Sequence, residues 1–355
     1  MKNLKLLLVS LAILFSHNLT MGQGPKDGKN ERNPVKSALN AFKFRSIGPA
    51  FMSGRIADIA IDPENENVWY VAVGSGGVWK TENSGTTWTP LADNMPFYST
   101  GCITIDPHNN ASIWLGTGEN VGGRHVGIGH GVYHSKDGGK SWKDMGLKKS
   151  EHISKIIVHP DDPNTVWVAS QGPLWSSGGE RGLFKTTDGG KTWKNTLDIN
   201  EWTGVTDLVI DPNNPNTLYA ASWQKHRNVA ALIGGGPGTS LYKSVDGGDN
   251  WSKIDKGLPK SNKGKIGLAI SPMQPNVLYA AVELDKRAGA VYRSDNSGGS
   301  WKKMSDTVSG GTGPHYYQEL YTSPHEFDRL YLMNVHILTS KDGGKNFEQL
   351  TNERN

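Results

Sequence analysis

Two kinds of acidic residue in this chain have types and spacings suited to chemistry. One is an Asp or Asn inside a short motif that recurs six times, and the other is a pair of glutamates, Glu119 in "GTGEN" and Glu180 in "GGERG". Two carboxylates flanking a glycosidic bond are the usual equipment for glycoside hydrolysis. Glu119 and Glu180 are therefore the candidate catalytic residues, and the alternative role of each is a loop hydrogen bond or a solvated charge.

The recurring motif, which we call the box, starts with Ser or Thr, has a Gly at its fifth position and ends in Trp or Phe, as in "SKDGGKSW" (135–142). In a tight turn, the hydroxyl and the carboxylate accept backbone N–H groups, the Gly adopts a positive φ and the aromatic ring packs between sheets. Two copies carry Asn, which keeps the acceptor oxygen but loses the acidity. The boxes therefore predict a structural role for their third residues, which are Asn83, Asp137, Asp188, Asp246, Asn296 and Asp342.

Other reactive side chains form no convincing site. His125 and His130 lie close together in sequence with His134 beyond them, but they have no reliable third and fourth partners, and the Asp-rich turns lack an EF-hand pattern. Cys102 in "GCITIDP" is typical of a small residue in a buried strand, and no G-x-S-x-G nucleophile motif is present. The sequence predicts loop histidines, no metal site and no cofactor.

A second landmark precedes every box, an apolar strand that ends in a proline turn. An aromatic residue follows seven positions after each of these prolines, as Tyr70 follows Pro63 and Trp114 follows Pro107. Each unit is thus predicted to contain strand a, a proline turn, strand b, a loop, strand c, the box turn and strand d. Successive boxes start about 52 residues apart, close to the length of a propeller blade. We therefore predict an all-β fold, a β-propeller of four-stranded blades with six units, forming six or an incomplete seven blades.

The ends of the chain predict export. Lys2 and Lys5 precede an apolar run at 6–15, so residues 1–22 are predicted to be a signal peptide, 23–43 a flexible linker and 44–355 the propeller. The mature chain is expected in the periplasm, at the cell surface or in the medium, without a transmembrane segment. The stretch at 41–49 is the only visible candidate for completing the last blade, so we expect a fragment of a longer protein, truncated at its C-terminus.

The motif S/T-x-D-x-G-x-x-W is identified as the Asp-box, or bacterial neuraminidase repeat. With "GSGGVWKTENSGTTW" and "WLGTGEN", the chain over residues 44–355 resembles the bacterial sortilin-type (vacuolar protein sorting ten) propeller proteins. The resemblance implies an exported propeller, often paired with a second one and often labelled a glycosyl hydrolase.

Two related hydrolase families also resemble the chain at its boxes. Sialidases imply an arginine clamp, but Arg45 in "FRSIGP" matches their motif only loosely and nothing selects Arg55, Arg124 or Arg293. Xyloglucanases imply an Asp in a "T-D-V-G-G" turn, where this chain has Gly74 in "VGSGG", and a second carboxylate on a second propeller. The resemblance therefore favours a binding module, and an incomplete glycoside hydrolase of xyloglucanase-like or sialidase-like type is the alternative.

Loop lengths predict the binding surface. The loop between strands b and c varies in length, whereas the proline-to-aromatic spacing is constant, and variable loops on one face of a repeat array typically form a binding face. We expect a peptide, protein or glycan partner there, and the net charge of +4 gives no indication of nucleic acid. The predicted contacts are Arg124, Trp175, Arg181, Trp223, Lys225 and Tyr317, with simple loop packing as the alternative role.

Overall fold

A computed structural model describes residues 55–123, 126–284, 288–306, 318–333 and 336–350. The chain divides into two units, Met1–Phe51 and Met52–Asn355, of which the first lies entirely outside the described residues. The predicted signal peptide and linker, and Arg45, therefore also lie outside them. The described part is all-β, with six four-stranded antiparallel sheets and a two-stranded one. It contains no helix long and apolar enough to cross a membrane.

The six four-stranded sheets are the blades of a β-propeller, which confirms the predicted fold. Blade 1 contains β1 (Ile56–Ile61), β2 (Trp69–Val73), β3 (Gly77–Thr81) and β4 (Thr89–Pro90), and blade 2 contains β5 (Thr100–Asp106), β6 (Asn109–Thr117), β7 (Val132–Ser135) and β8 (Lys143–Asp144). Blade 3 contains β9 (Ile153–His159), β10 (Asp162–Ser170), β11 (Gly182–Thr186) and β12 (Lys194–Leu197). Blade 4 contains β13 (Thr203–Asp211), β14 (Asn214–Gln224), β17 (Leu241–Ser244) and β18 (Ser252–Lys253), with the hairpin β15 (His226–Arg227) and β16 (Leu232–Ile233) inserted between its strands b and c. Blade 5 contains β19 (Ile266–Ile270), β20 (Leu278–Glu283), β21 (Gly289–Ser294) and β22 (Lys302–Ser305), and blade 6 contains β23 (Glu319–Thr322), β24 (Leu330–Met333), β25 (Ile337–Ser340) and β26 (Glu348–Gln349).

The hydrophobic core lies between neighbouring blades. For example, Trp114 and Val132 of blade 2 pack with Ile156 and Val168 of blade 3 in one buried cluster. A sheet sandwiched between two others is buried on both faces, which explains why strand b of each blade is a nearly continuous apolar run. The repeat thus generates its core by stacking units that cannot bury their faces alone.

The two sequence landmarks meet across these blade interfaces. The strand-b aromatic of one blade packs against the box of the next, and Trp167 Nε1 donates a hydrogen bond to the carbonyl of Gly247 at 3.0 Å. A Cβ on Gly190 would lie 3.0 Å from the Trp114 ring. The proline-to-aromatic spacing and the box therefore recur in phase because each aromatic must reach the next box.

Each box is a hydrogen-bonded turn. In the second box, Ser135 Oγ donates to Asp137 Oδ1 at 2.8 Å and accepts the N–H of Gly139 at 2.8 Å. Asp137 also accepts the N–H and the hydroxyl of Ser141 at 2.8 and 2.6 Å, and these bonds lower the pKa of Asp137 to about 2. Its carboxylate is therefore ionised and committed to the turn.

The boxes with Asn keep the same turn with one bond reversed. Asn83 Oδ1 accepts the N–H of Thr87 at 2.8 Å, while Asn83 Nδ2 donates to the Thr87 hydroxyl at 2.9 Å. Asn296 makes the equivalent bonds to Ser300 at 2.9 and 3.0 Å. A hydroxyl can donate or accept, so Asp and Asn are interchangeable at this position.

Blade 1 differs from the other blades on one face. Ile59, four residues before the proline of its turn, is 51% exposed, whereas the side chains at the equivalent positions of the other five blades are 3% exposed or less. Those five residues are Ile103, Ile156, Leu208, Leu268 and Leu320. Among the described residues, no blade covers this face of blade 1.

The box turns and the proline turns occupy the same face of the propeller. Gly138 of the second box donates its N–H to the carbonyl of Ala111 at 2.8 Å, and Gly247 of the fourth donates to Asn216 at 2.8 Å, both in proline turns. In an antiparallel four-stranded blade, the b–c loops and the connections between blades must then lie at the opposite ends of the strands. We call that opposite side the loop face.

Candidate functional site

Three b–c loops pack together on the loop face. Leu174 of blade 3 is fully buried against Val121 and Val126 of blade 2. Arg227 of blade 4 donates its backbone N–H to Leu174 at 3.0 Å, and its side-chain Nε donates to the carbonyl of Gly122 at 3.2 Å. The long loops of blades 2, 3 and 4 are thus one layer, which we call the loop layer, comprising residues 118–123, 126–131, 171–181 and 225–240.

Arg181 fixes the conformation of the blade 3 loop. Its guanidinium is buried and donates to the carbonyls of Gln171 at 2.9 Å, Gly178 at 2.7 Å and Ser176 at 2.5 Å, and also to that of Pro173. Burial lowers the pKa of Arg181 to about 10, and no carboxylate among the described residues forms an ion pair with it. The predicted ligand contact at Arg181 is therefore occupied by its own loop, which it holds rigid.

Trp175 lies on this fixed loop and is 43% exposed. The loop also contacts the connection between blades 3 and 4, where Gly178 donates its N–H to Glu201 at 2.8 Å. There the half-buried rings of Trp202 and His226 lie with their centroids 4.2 Å apart and their planes tilted by 42°. We call Trp175, Trp202 and His226 the aromatic patch.

Two members of the aromatic patch, Trp202 and His226, were not predicted from the sequence. Trp202 lies in "INEWTG", a short connection between blades, and His226 lies in the inserted hairpin. The only signal in the sequence was an aromatic residue in a connection that opens on the same face as the long loops. Backbone hydrogen bonds between the loops, which sequence spacing does not reveal, bring these residues to the same region as Trp175.

Two other predicted contacts are buried, Trp223 near the end of β14 and Lys225 at the start of the blade 4 part of the loop layer. Trp223 is 1% exposed and donates its Nε1 hydrogen to the carbonyl of Gly234 at 2.9 Å. Lys225 is fully buried, donates to Gln171 Oε1 at 2.5 Å and lies 4.9 Å from the centroid of the Trp223 ring. Burial, together with the neighbouring Arg181 and Lys265 charges, depresses the pKa of Lys225 well below its usual range. Arg181, Trp223 and Lys225 are thus brought together around Gln171, as the support of the layer. The remaining two predicted contacts, Arg124 and Tyr317, lie outside the described residues.

The two candidate catalytic carboxylates occupy different environments. Glu119 is fully buried, and its carboxylate pairs with the Arg55 guanidinium, with 2.6 Å between Arg55 Nη2 and Glu119 Oε2 and a second contact through Nε. Glu180 is partly exposed in the loop layer, where Oε2 accepts the N–H of Lys149 at 2.7 Å. Each carboxylate therefore has a structural partner.

Gly74 makes room for Glu119. A Cβ at position 74 would lie 2.7 Å from Glu119 Oε1, so the carboxylate occupies the space that a side chain on Gly74 would need. By the resemblance to xyloglucanases, position 74 is where those enzymes place a catalytic Asp. A carboxylate is consequently present there, but it comes from the neighbouring blade.

His134 and the Cys102 thiol are accounted for by packing, whereas His130 is an exposed loop histidine. His134 stacks on Trp114 at 4.1 Å and contacts the Ser112 hydroxyl at 2.8 Å, and burial lowers the pKa of His134 to about 4. Cys102 is buried, and this raises the pKa of its thiol well above the usual range. His125 lies outside the described residues, within which no three metal-ligating side chains converge.

Six residues on the first strands of the blades, four of them charged, lie around the propeller axis. On strand a of every blade, the residue five positions before the turn proline occupies the same register relative to strand b. In blades 5 and 6 these prolines are Pro272 and Pro324. These six residues, which we call the axial ring, are Asp58, Cys102, Lys155, Asp207, Gly267 and Glu319. Beside Lys155 lies a cavity of about 160 Å³ that Asp207, Glu319 and Tyr321 also line.

Two carboxylates of the axial ring connect adjacent blades. Asp58 Oδ2 accepts the N–H of Ile103 in blade 2 at 3.0 Å, and Asp207 Oδ2 accepts that of Leu268 in blade 5 at 2.8 Å. Burial raises the pKa of each carboxyl to about 6, although the Lys155 ammonium acts in the opposite direction. Asp58 and Asp207 therefore join adjacent blades, and each carboxyl keeps its proton to a higher pH than an ordinary Asp does.

Comparison with known proteins gives one family match and several distant relatives. The Sortilin-Vps10 family model (sortilin, neurotensin receptor 3) matches residues 130–278, which confirms the predicted resemblance over that part of the chain. A probable oligoxyloglucan-reducing end-specific xyloglucanase of Neosartorya fischeri is 24% identical over 240 residues, covering 62% of this chain and 26% of the relative. A xyloglucanase of Hypocrea jecorina is 23% identical over 307 residues, covering 78% of this chain and 35% of the relative. The chain thus spans about a third or less of the length of these xyloglucanases.

Two solved structures share the fold. The GH74 xyloglucanase from Xanthomonas campestris has a TM-score of 0.60 at 16% sequence identity, covering 84% of this chain and 45% of that one. YCF48 bound to D1 peptide has a TM-score of 0.52 at 15% identity, covering 84% of this chain and 82% of that one. At these identities, the similarity establishes the propeller fold.

Proposed function

We propose that the described propeller is a binding module that recognises a glycan or a peptide through its loop face, with Trp175 as the central contact. The observation that carries the proposal is the exposed Trp175 ring on a loop that Arg181 fixes through four carbonyls. A ring held in place before binding loses little conformational entropy when a ligand stacks on it. Tryptophan also offers the largest apolar face for such stacking.

Exposed apolar side chains elsewhere on the loop face support this proposal. They lie in the b–c loops and in a connection between blades, where water-exposed apolar groups have no packing role. Those with the largest exposure are Tyr98, Ile128, Val229 and Ile233. A face that combines long, rigid loops with such side chains is suited to a partner that covers it.

A glycan is the better-supported of the two ligands. Sugar rings present flat C–H faces to aromatic side chains, and the aromatic patch combines Trp175 with Trp202 and His226. The relatives named above are xyloglucanases, which makes a plant-type β-glucan the first ligand to test. The peptide alternative is supported by the shared fold of YCF48, whose structure contains a bound peptide.

The proposal is tested by titrating the protein with xyloglucan oligosaccharides and with a peptide library. Losing a stacked Trp ring weakens binding by about 1 kcal/mol, or about fivefold in affinity. We expect this loss for Trp175→Ala and none for Trp88→Ala, a control on the box face whose side chain is similarly exposed at 40%. Equal behaviour of the two variants, with unchanged melting temperatures, would contradict the assignment of the loop face.

The second candidate function, glycoside hydrolysis, is favoured by one observation. The Glu119 carboxylate fills the space beside Gly74, where the resemblance to xyloglucanases implies a catalytic carboxylate. Its burial and its pairing with Arg55 argue for a structural role in the chain as described. Release of reducing ends from xyloglucan that disappears in Glu119→Gln would establish the hydrolase, whereas binding without turnover supports the module.

We also propose that the mature chain is exported after cleavage near Gly22, where a secreted or cell-surface polysaccharide would be accessible to it. N-terminal sequencing of the protein recovered outside the cytoplasm tests this proposal. Recovery of the uncleaved chain from the cytoplasm alone would contradict it.

A further inference from the structure

A groove opens on the loop face beside the loop layer. It has a volume of about 530 Å³ and is lined by Pro237 of the loop layer and by residues 253 and 255–263, which connect blades 4 and 5. The two walls are joined, because Gly236 donates its N–H to the carbonyl of Lys263 at 3.2 Å. A volume of this size is typical of ligand sites.

The connecting wall of this groove is fixed rather than loose. Leu258 is buried in the core between blades 4 and 5, and Trp301 donates its N–H to the carbonyl of Lys256 at 2.8 Å. Gly257 has φ of +95°, and a Cβ there would collide with the carbonyl of Trp301. Since both a positive φ and a missing side chain are required, the chain can pass this point only with glycine.

The Lys263 side chain completes the wall. Its ammonium is buried and donates to the carbonyls of Pro259 at 3.2 Å and Ser261 at 3.5 Å, which closes the turn at 259–263. Lys263 is thus a structural cation that adds positive potential to the groove.

The charge of the groove is strongly asymmetric. Its lining residues include four lysines and a single carboxylate, Asp255, which pairs with Lys253 at 3.2 Å. Lys256 and Lys260 are exposed on either side of the buried Leu258, and neither has a carboxylate within ion-pair distance among the described residues. Two exposed ammonium groups therefore flank a rigid depression that already carries a third positive charge.

We propose that this groove is a subsite for the carboxylate groups of an acidic glycan, such as a uronic-acid-containing polysaccharide. The inference rests on the proposed function, because the groove continues the loop layer through Pro237 and Gly236 and so lies on the same face as the aromatic patch. Lysine ammonium groups suit this task, since they pair with carboxylates without demanding one fixed geometry. A glycan chain bound at the aromatic patch can in this way be selected for its charge.

The test compares the binding of carboxylated and neutral oligosaccharides to the full-length protein. We would titrate it with oligogalacturonate and with cello-oligosaccharide of equal length, at low and high salt. The double variant Lys256→Gln, Lys260→Gln should weaken oligogalacturonate binding about fivefold at low salt, because two exposed ion pairs are lost. The loss should nearly vanish at high salt, where exposed charges are screened, and neutral binding should not change.

A matched control removes the same charge from the opposite face. Lys140 and Lys191 are exposed in the second and third boxes, so Lys140→Gln, Lys191→Gln should bind oligogalacturonate as the unchanged protein does. If both double variants behave alike while Trp175→Ala still weakens binding, the groove inference is refuted and the proposed function stands. If oligogalacturonate does not bind at all, the groove inference is refuted, and the proposed function is then decided separately by the xyloglucan and peptide titrations.

Discussion

The carboxyl of Asp207 gives the most quantitative prediction of the structure. It faces the propeller axis, accepts the N–H groups of Leu208 at 2.9 Å and Leu268 at 2.8 Å, and has a pKa raised by burial to about 6 from a usual value of 3.8. The perturbation is Asp207→Asn, which keeps the size of the side chain and removes its titration. Asp58, which has the same environment in blade 1, offers an independent repetition.

The sign of the effect follows from proton linkage. The folded-state pKa of Asp207 lies above the unfolded value, so the native state binds the proton more tightly and gains stability as the pH falls through about 6. The full shift, about 2 pKa units, corresponds to about 3 kcal/mol. Integration between about pH 7.5 and about pH 5 gives close to half of that, about 1.4 kcal/mol, in the free energy of unfolding.

Urea denaturation of the unchanged protein and of Asp207→Asn, at both pH values and constant ionic strength, measures this quantity. Asn offers only one acceptor oxygen where Asp207 uses two, so the variant is expected to be less stable by an amount that does not depend on pH. The difference in unfolding free energy between the two proteins should then change by about 1.4 kcal/mol in favour of the unchanged protein at the lower pH. A difference that is constant, or that changes in the opposite direction, would show that the Lys155 ammonium outweighs burial and keeps the carboxylate charged.

Three further predictions concern the turns and the loop layer. Ser135→Ala leaves the buried N–H of Gly139 without its acceptor and should lower the free energy of unfolding, measured by urea denaturation, by about 2 kcal/mol. The control Ser84→Ala, on the exposed tip of the first box, should lower it by less than about 0.5 kcal/mol. Asp188→Asn should change the melting temperature by no more than about a degree or two, because Asn occupies the same position in two other boxes. Asp188→Ala should lower the melting temperature clearly. Equal effects of the two changes would contradict the interchangeability of Asp and Asn at this position. Arg181→Met leaves four carbonyls of the loop that carries Trp175 without their donor, so it should lower the free energy of unfolding by about 3 kcal/mol and also weaken glycan binding. A stable variant with unchanged affinity would show that other contacts hold the loop.

The architecture was predictable because its signals are local and repeated. A proline turn, an aromatic residue seven positions later and a box each have a steric or hydrogen-bonding reason to occur, and their common period of about 52 residues is that of a four-stranded blade. The structure explains why the aromatic residue and the box keep a constant spacing: the strand-b aromatic of one blade contacts the box of the next, as Trp167 contacts Gly247. That contact joins residues 80 apart in the chain, so no local pattern could reveal it.

The site was less predictable, for two physical reasons. Loop length indicates which face varies, but not which side of a loop faces solvent, so Trp175 and Trp223 were indistinguishable in sequence although one is 43% and the other 1% exposed. Arginine on a loop is equally suited to a ligand or to its own backbone, and only the carbonyls around Arg181 decide between them. The axial ring could have been found by counting back five positions from each proline, but its position on the axis follows only from the packing of the inner strands against one another.

The most direct test of the account is the affinity of Trp175→Ala for xyloglucan oligosaccharide, measured by isothermal titration beside Trp88→Ala and the unchanged protein. We expect about a fivefold loss for Trp175→Ala, no loss for Trp88→Ala and a nearly unchanged melting temperature for Trp175→Ala, since its ring is exposed. Unchanged affinity of Trp175→Ala, in a protein that does bind the oligosaccharide, would place the binding surface away from the aromatic patch and contradict the central claim.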